Sequence, residues 1–154
     1  MGLDMYLKHK RYISPFDMLA RDRVESFDVG ITLNYQGGSR SVKRFTVDDC
    51  PEFGVEISLP VGYWRKAWAI HKWFVDNCNG GVDDCREFRV PFYKIKELLE
   101  TCKQVRDDHS KAEELLPDTS PANYDEWYFL DIDNTIKILS KLENVDDYYY
   151  DASW

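Results

Sequence analysis

The hydrophobic period of this 154-residue chain changes once, and that change limits the folds open to it. Near the N-terminus apolar and polar side chains alternate, with Leu3, Met5 and Leu7 set against Asp4, Tyr6 and Lys8 in LDMYLKHKRYI. SFDVGITLNY and RSVKRFTV alternate on either side of QGGS, which predicts a β-hairpin turning at Gly37-Gly38. FGVEISLPV alternates again and is expected to stop at Pro60. From Tyr63 the spacing becomes helical: Tyr63, Ala67, Ile70 and Phe74 share one arc, and NGG after Cys78 supplies the stop. REFRV reads as a short strand. PFYKIKELLETCKQV opens with Pro91 at a helix-entry position and carries Ile95, Leu98, Leu99, Cys102 and Val105 along one stripe. After the loop LLPDTSPAN, Tyr128, Ile132, Thr135, Ile136, Leu139 and Leu142 predict a third helix. The expected class is α+β, a largely antiparallel sheet from the N-terminal half with about three helices packed on it. The length fits a single domain over 1–154, mainly β over 1–60, mainly helical over 61–143, with an aromatic and acidic tail over 144–154.

Charge narrows the partners. The net charge is −8, with eight Lys/Arg against seven Asp/Glu over 1–50 and twelve against twenty-one over 51–154. Such a chain is repelled by a nucleic-acid backbone unless its cations gather on one face, so no DNA or RNA partner is expected. No apolar run approaches the ~20 residues of a membrane span, and the N-terminus lacks the order of a signal peptide. Tyr6 stands where a myristoylation signal needs Ser or Thr, so neither membrane nor lipid anchor is expected, and the location expected is cytoplasmic. The four cysteines form no C-x-x-C pair and are expected to be free thiols, with no metal and no cofactor. DIDNT begins like a calcium loop but has Thr135 and Ile136 where that loop continues with acid and glycine.

The stretch VGYWRKAWAIHKWF holds the densest chemistry. With a helix from Tyr63, Trp64, Trp68 and His71 line one margin of its buried arc, a position that amphipathic rings also favour for packing alone. Arg65 and Lys66 would then stand in the first turn, against the helix dipole. An anion at that terminus, a phosphate above all, would reconcile them, because backbone N–H groups, Arg and Lys would converge on it. Trp64 or Trp68 could stack a base and His71 add a donor or a proton. The alternative for Arg65 is an ion pair, for example with Asp4 on the first strand. Tyr124 and Tyr128 lie one turn apart, and Thr119 and Ser120 could offer hydroxyls from the PDTSPAN loop, which otherwise reads as an ordinary surface loop.

MGLDMYL, VGYWRKAWAIHKWFVDN, GVDDCREF, AEELLP, YDEWYF and the closing SW resemble a group of small bacteriophage-encoded proteins over residues 1–8 and about 56–154. The chain departs from their pattern at Trp68, where Asn is usual, and at DTSPAN, where a longer Gly- and Phe-rich loop is common. The resemblance implies a role in the contest with host defence, in the host cytosol. Joined to the residues above, it gives the expected function: binding and sequestering a phosphorylated, nucleotide-derived immune signal, a cyclic ADP-ribose relative or a cyclic dinucleotide, without turnover. The candidate ligand-binding set is Asp4, Tyr6, Trp64, Arg65, Lys66, Trp68, His71, Thr119, Tyr124 and Tyr128. Two alternatives stand beside it. One is an enzyme that cleaves such a signal with His71 or His109 as acid–base group, although no H-x-[ST] pair, H-E-x-x-H, P-loop or G-x-S-x-G is present. The other is an interaction protein that blocks a host enzyme through residues 107–151, which hold thirteen Asp/Glu against three Lys/Arg. Tyr148, Tyr149, Tyr150 and Trp154 in the tail predict a homo-oligomer, most simply a two-fold dimer.

Overall fold

The computed structural model describes residues 2–13, 26–35, 38–48, 55–119 and 124–153. They fall into two compact units, one made of residues 1–10 and 58–154, the other of Arg11–Ile57.

The first unit is α+β. Its strands belong to β1 (Asp4–Ile13), β4 (Val55–Arg65), β5 (Phe88–Val90) and β6 (Tyr148–Ser153), in the sheet order β4-β1-β6-β5. β6 is antiparallel to both neighbours, with Leu7 opposite Tyr150 and Arg89 opposite Tyr149. Alternation from Leu3, just before β1, through Met5 and Leu7 on it sends these three into the core at zero exposure, where Tyr148, Tyr150 and Ala152 of β6 join the same cluster. Four helices follow: α1 (Trp68–Cys78), α2 (Phe92–Asp107), the single turn α3 (Ala112–Leu115) and α4 (Glu126–Leu139). Ile70 and Phe74 of α1, Ile95, Leu98, Cys102 and Val105 of α2, and Tyr128, Ile132 and Leu139 of α4 complete the core. Each such side chain contributes roughly 1.5–3 kcal/mol on burial. α2 begins directly after Pro91, whose missing N–H costs nothing at that position.

Three expectations need correction. β4 does not stop at Pro60 but runs through it to Arg65, and α1 begins only at Trp68. An outer strand of the sheet tolerates a residue without N–H, and β4 is such a strand. Over Gly62–Arg65 burial alternates: Gly62 and Trp64 face the core, Tyr63 and Arg65 face away. The tail, in turn, is no appendage, because β6 lies between β1 and β5, with Tyr148 and Tyr150 fully packed.

The second unit contains β2 (Ser26–Tyr35) and β3 (Gly38–Asp48), an antiparallel pair running from Ser26 opposite Asp48 to Tyr35 opposite Gly38, with a register shift at Ile31/Thr32. This is the hairpin the alternation predicts, but Gly38 already pairs with Tyr35 as the first residue of β3 and so is not part of the turn expected at Gly37-Gly38; Gln36 and Gly37 lie outside the described residues.

Candidate functional site

The β4–α1 junction is where local backbone and site chemistry meet. Lys66 links strand to helix with φ +59°, a left-handed conformation that costs an ordinary residue roughly 1 kcal/mol. Its amide donates to the carbonyl of Leu3 at 2.8 Å, and its carbonyl accepts from the amide of Trp68 at 2.9 Å. α1 then starts from Ala67, which offers no side-chain cap, and no acid stands in the first turn. The amides of Ala69 and Ile70 have no hydrogen-bond partner among the described residues, so the positive end of the helix is open.

That end forms one wall of a cleft of about 270 Å³, to which Lys66, Trp68, Ala69 and Ile70 contribute. Opposite stand Asp118 and the start of α4, with Asp125, Trp127, Tyr128 and Asp131. Both indoles reach solvent, Trp68 at 37% and Trp127 at 74% exposure. The lining differs in sign from one side to the other: Lys66 and an uncapped helix N-terminus belong to the α1 side, three aspartates to the α4 side.

The acidic wall is differentiated. Asp125 caps α4, its Oδ1 accepting the Tyr128 amide at 3.0 Å. Tyr128 is itself committed, donating its hydroxyl to the carbonyl of Leu116 at 2.8 Å. The Asp131 carboxylate has no hydrogen-bond or ion-pair partner among the described residues. Half-burial, reinforced by the charges of Asp118 and Asp125, pushes its pKa up to about 6. The trio is not a metal centre, since no cluster of three His, Cys, Asp or Glu fit to hold a metal ion occurs among the described residues. Behind it, the Trp64 indole donates to Thr135 Oγ1 at 2.8 Å, and Thr135 donates to the Asp131 carbonyl at 2.7 Å, so the core braces this turn of α4.

Of the residues named from the sequence, Lys66, Trp68 and Tyr128 line the cleft. Trp64 is core, at 1% exposure. Arg65 lies on β4 facing away from Trp64, so the Arg-Lys clamp at a helix terminus does not form. Asp4 and Tyr6 lie on the sheet face away from the helices, where the Tyr63 hydroxyl donates to Asp4 at 2.6 Å and the Tyr6 and Tyr63 rings sit 5.2 Å apart. His71 is buried elsewhere: Nδ1 lies 2.8 Å from the Tyr150 hydroxyl and Nε2 3.1 Å from both oxygens of Asp83. There it pins the loop after α1 to the core. Tyr124 packs edge-on against Tyr128 at 5.1 Å without lining the cleft, Thr119 is exposed and does not line it either, and Ser120 lies outside the described residues. Asp118, Trp127 and Asp131 are additions. Asp131 carries a usable signal, an acid three residues after Tyr128 and directly before Ile132 on the packed side of a helix.

No helix among the described residues is long and apolar enough to cross a membrane. Comparison of the chain with protein-family models, with curated proteins and with solved structures finds no match.

Proposed function

We propose that this protein binds and sequesters a phosphorylated, nucleotide-derived small molecule in the cleft between the start of α1 and the start of α4. The two-signed lining carries the reading. A phosphate is attracted to Lys66 and the open amides of α1 and repelled by the aspartates, whereas a base rich in N–H groups finds acceptors on the opposite wall. Trp68 and Trp127 offer the faces on which a base stacks, worth about 1–3 kcal/mol per base. The phosphate contact therefore moves from Arg65 to Lys66 and the helix amides. The cleft, at about 270 Å³, is just below the ~300–1,000 Å³ of common ligand sites, which suits one base with its phosphate and leaves the remainder of a larger signal outside. The resemblance to bacteriophage proteins directs this chemistry to a host immune signal.

Mass spectrometry of nucleotides released on denaturing protein expressed beside an active signalling system tests the proposal. An intact nucleotide, retained by wild type and lost from Trp127→Ala and Lys66→Gly, is the expected result; retention unaffected by both substitutions would place the ligand elsewhere. A second reading, cleavage of the signal, is favoured by the Asp131 carboxyl in the cleft, which burial pushes up to about 6, toward the range that suits a general acid–base group. Accumulation of a smaller product, abolished in Asp131→Asn, would decide for the enzyme.

A further inference from the structure

We infer that the cleft selects a guanine-type base and that Asp131 makes the selection. The inference rests on the nucleotide reading above and sharpens it. Of the polar groups on the acidic wall, the Tyr128 hydroxyl is spent on Leu116, Asp125 on the helix cap, and Asp118 is engaged in an interaction of its own, whereas the Asp131 carboxylate, on a residue that lines the cleft, has its acceptors unfilled among the described residues. An ionised carboxylate accepts through two oxygens and donates nothing. Its complement is a pair of adjacent, parallel N–H donors. Among the common bases, guanine has that pair on its Watson–Crick edge, in N1–H and the exocyclic amino group. Adenine sets one amino donor beside the N1 lone pair, which would face a carboxylate oxygen. Cytosine has the same pairing of donor and lone pair, and uracil flanks a single N–H with two carbonyls. Each of these leaves a partly buried acceptor opposed or unmatched, the circumstance in which hydrogen-bonding sites discriminate most strongly. The stacking faces and the ammonium bear on every base alike, so discrimination falls to Asp131.

Isothermal titration of the full chain at pH 7.5 with guanosine, inosine and adenosine 5′-monophosphates, repeated on Asp131→Asn, tests this. Guanosine monophosphate should bind about tenfold or more tighter than adenosine monophosphate, and inosine monophosphate, which lacks the amino group, should fall between them. Asp131→Asn should lose the preference while still binding. Equal affinity of wild type for guanosine and adenosine monophosphates, or a preference unchanged in Asp131→Asn, would overturn the selection and leave the cleft a nucleotide site. Failure of all three to bind wild type would overturn the nucleotide reading itself. The inosine comparison alters no protein residue, so it stands even where the variant is poorly folded.

Discussion

Asp131 has a cost that can be measured apart from any ligand. Its ordinary carboxyl value of 3.8 rises to about 6 in the fold, so the native state favours the protonated form. Stability is unaffected below the unfolded value, falls as pH rises from 3.8 to about 6, and stays reduced above that. Asp131→Asn should therefore stabilise the protein at pH 7, on the order of 1 kcal/mol once the half-exposed position is discounted for solvent screening, and give no gain at pH 3.5. Thermal melts at the two pH values check it, and a destabilised variant at pH 7 would mean that Asp131 has a structural partner. Lys66 is the counterpart on the other wall, an ordinary residue held at φ +59°. Lys66→Gly removes that strain at the expense of a more flexible unfolded chain, and the two nearly cancel, so stability should change by less than about 1 kcal/mol. Nucleotide affinity should nevertheless fall about tenfold with the loss of a charged hydrogen bond. Equal affinity for phosphorylated and unphosphorylated nucleosides in wild type would remove Lys66 from the site.

Among the elements, the end of β4 depends on one small residue. A Cβ on Gly62 would lie 2.8 Å from the Trp64 ring and 3.0 Å from Ile138 Cγ2, and the indole cannot swing away without breaking its bond to Thr135. Gly62→Ala should cost about 1–3 kcal/mol by overpacking, read as a lower denaturation midpoint with unchanged slope. The same residues show what the sequence could and could not disclose. The β2–β3 hairpin was legible because ten-residue alternation around Gly37-Gly38 is local information, and α2 because Pro91 and a regular apolar stripe coincide. The start of α1 was misread because Tyr63, Ala67, Ile70 and Phe74 satisfy a helical period by spacing alone. What holds Val61–Arg65 extended is pairing within the sheet and the packing of Trp64 against α4, both made by residues remote in sequence. The site divided along the same line. Lys66, Trp68 and Tyr128 stood out by residue type, but Asp118 and Asp131 belong to a long acidic run that resembles any solvated surface until folding brings them into one cleft with Lys66.

At the scale of the molecule, Tyr148 and Tyr150, two of the tail aromatics from which a dimer is expected, are core residues of an interior strand, and Tyr149 lies beside Lys10 in a cation–π contact at 4.9 Å. Among the described residues, the core cluster and the lining of the cleft lie within residues 1–10 and 58–154, and Arg11–Ile57 is one continuous stretch of sequence between them. β1 and β4 are hydrogen-bonded neighbours, and the bond from the Lys66 amide to Leu3 with the Tyr6–Tyr63 ring contact fixes them antiparallel, so that Lys10 and Ser58 come near each other. A two-residue Asn-Gly turn suits such a junction, because its twist matches that of the paired strands. Replacing Arg11–Ile57 by Asn-Gly should therefore leave a chain that folds cooperatively, keeps the near-ultraviolet dichroism of Trp64 and Trp73 in a packed core, and binds the same nucleotide within about threefold of the parent, a change of roughly 0.7 kcal/mol. An unfolded product would show that the hairpin unit supplies stability the core lacks. A folded product without affinity would overturn the expectation that residues 1–10 and 58–154 suffice for binding.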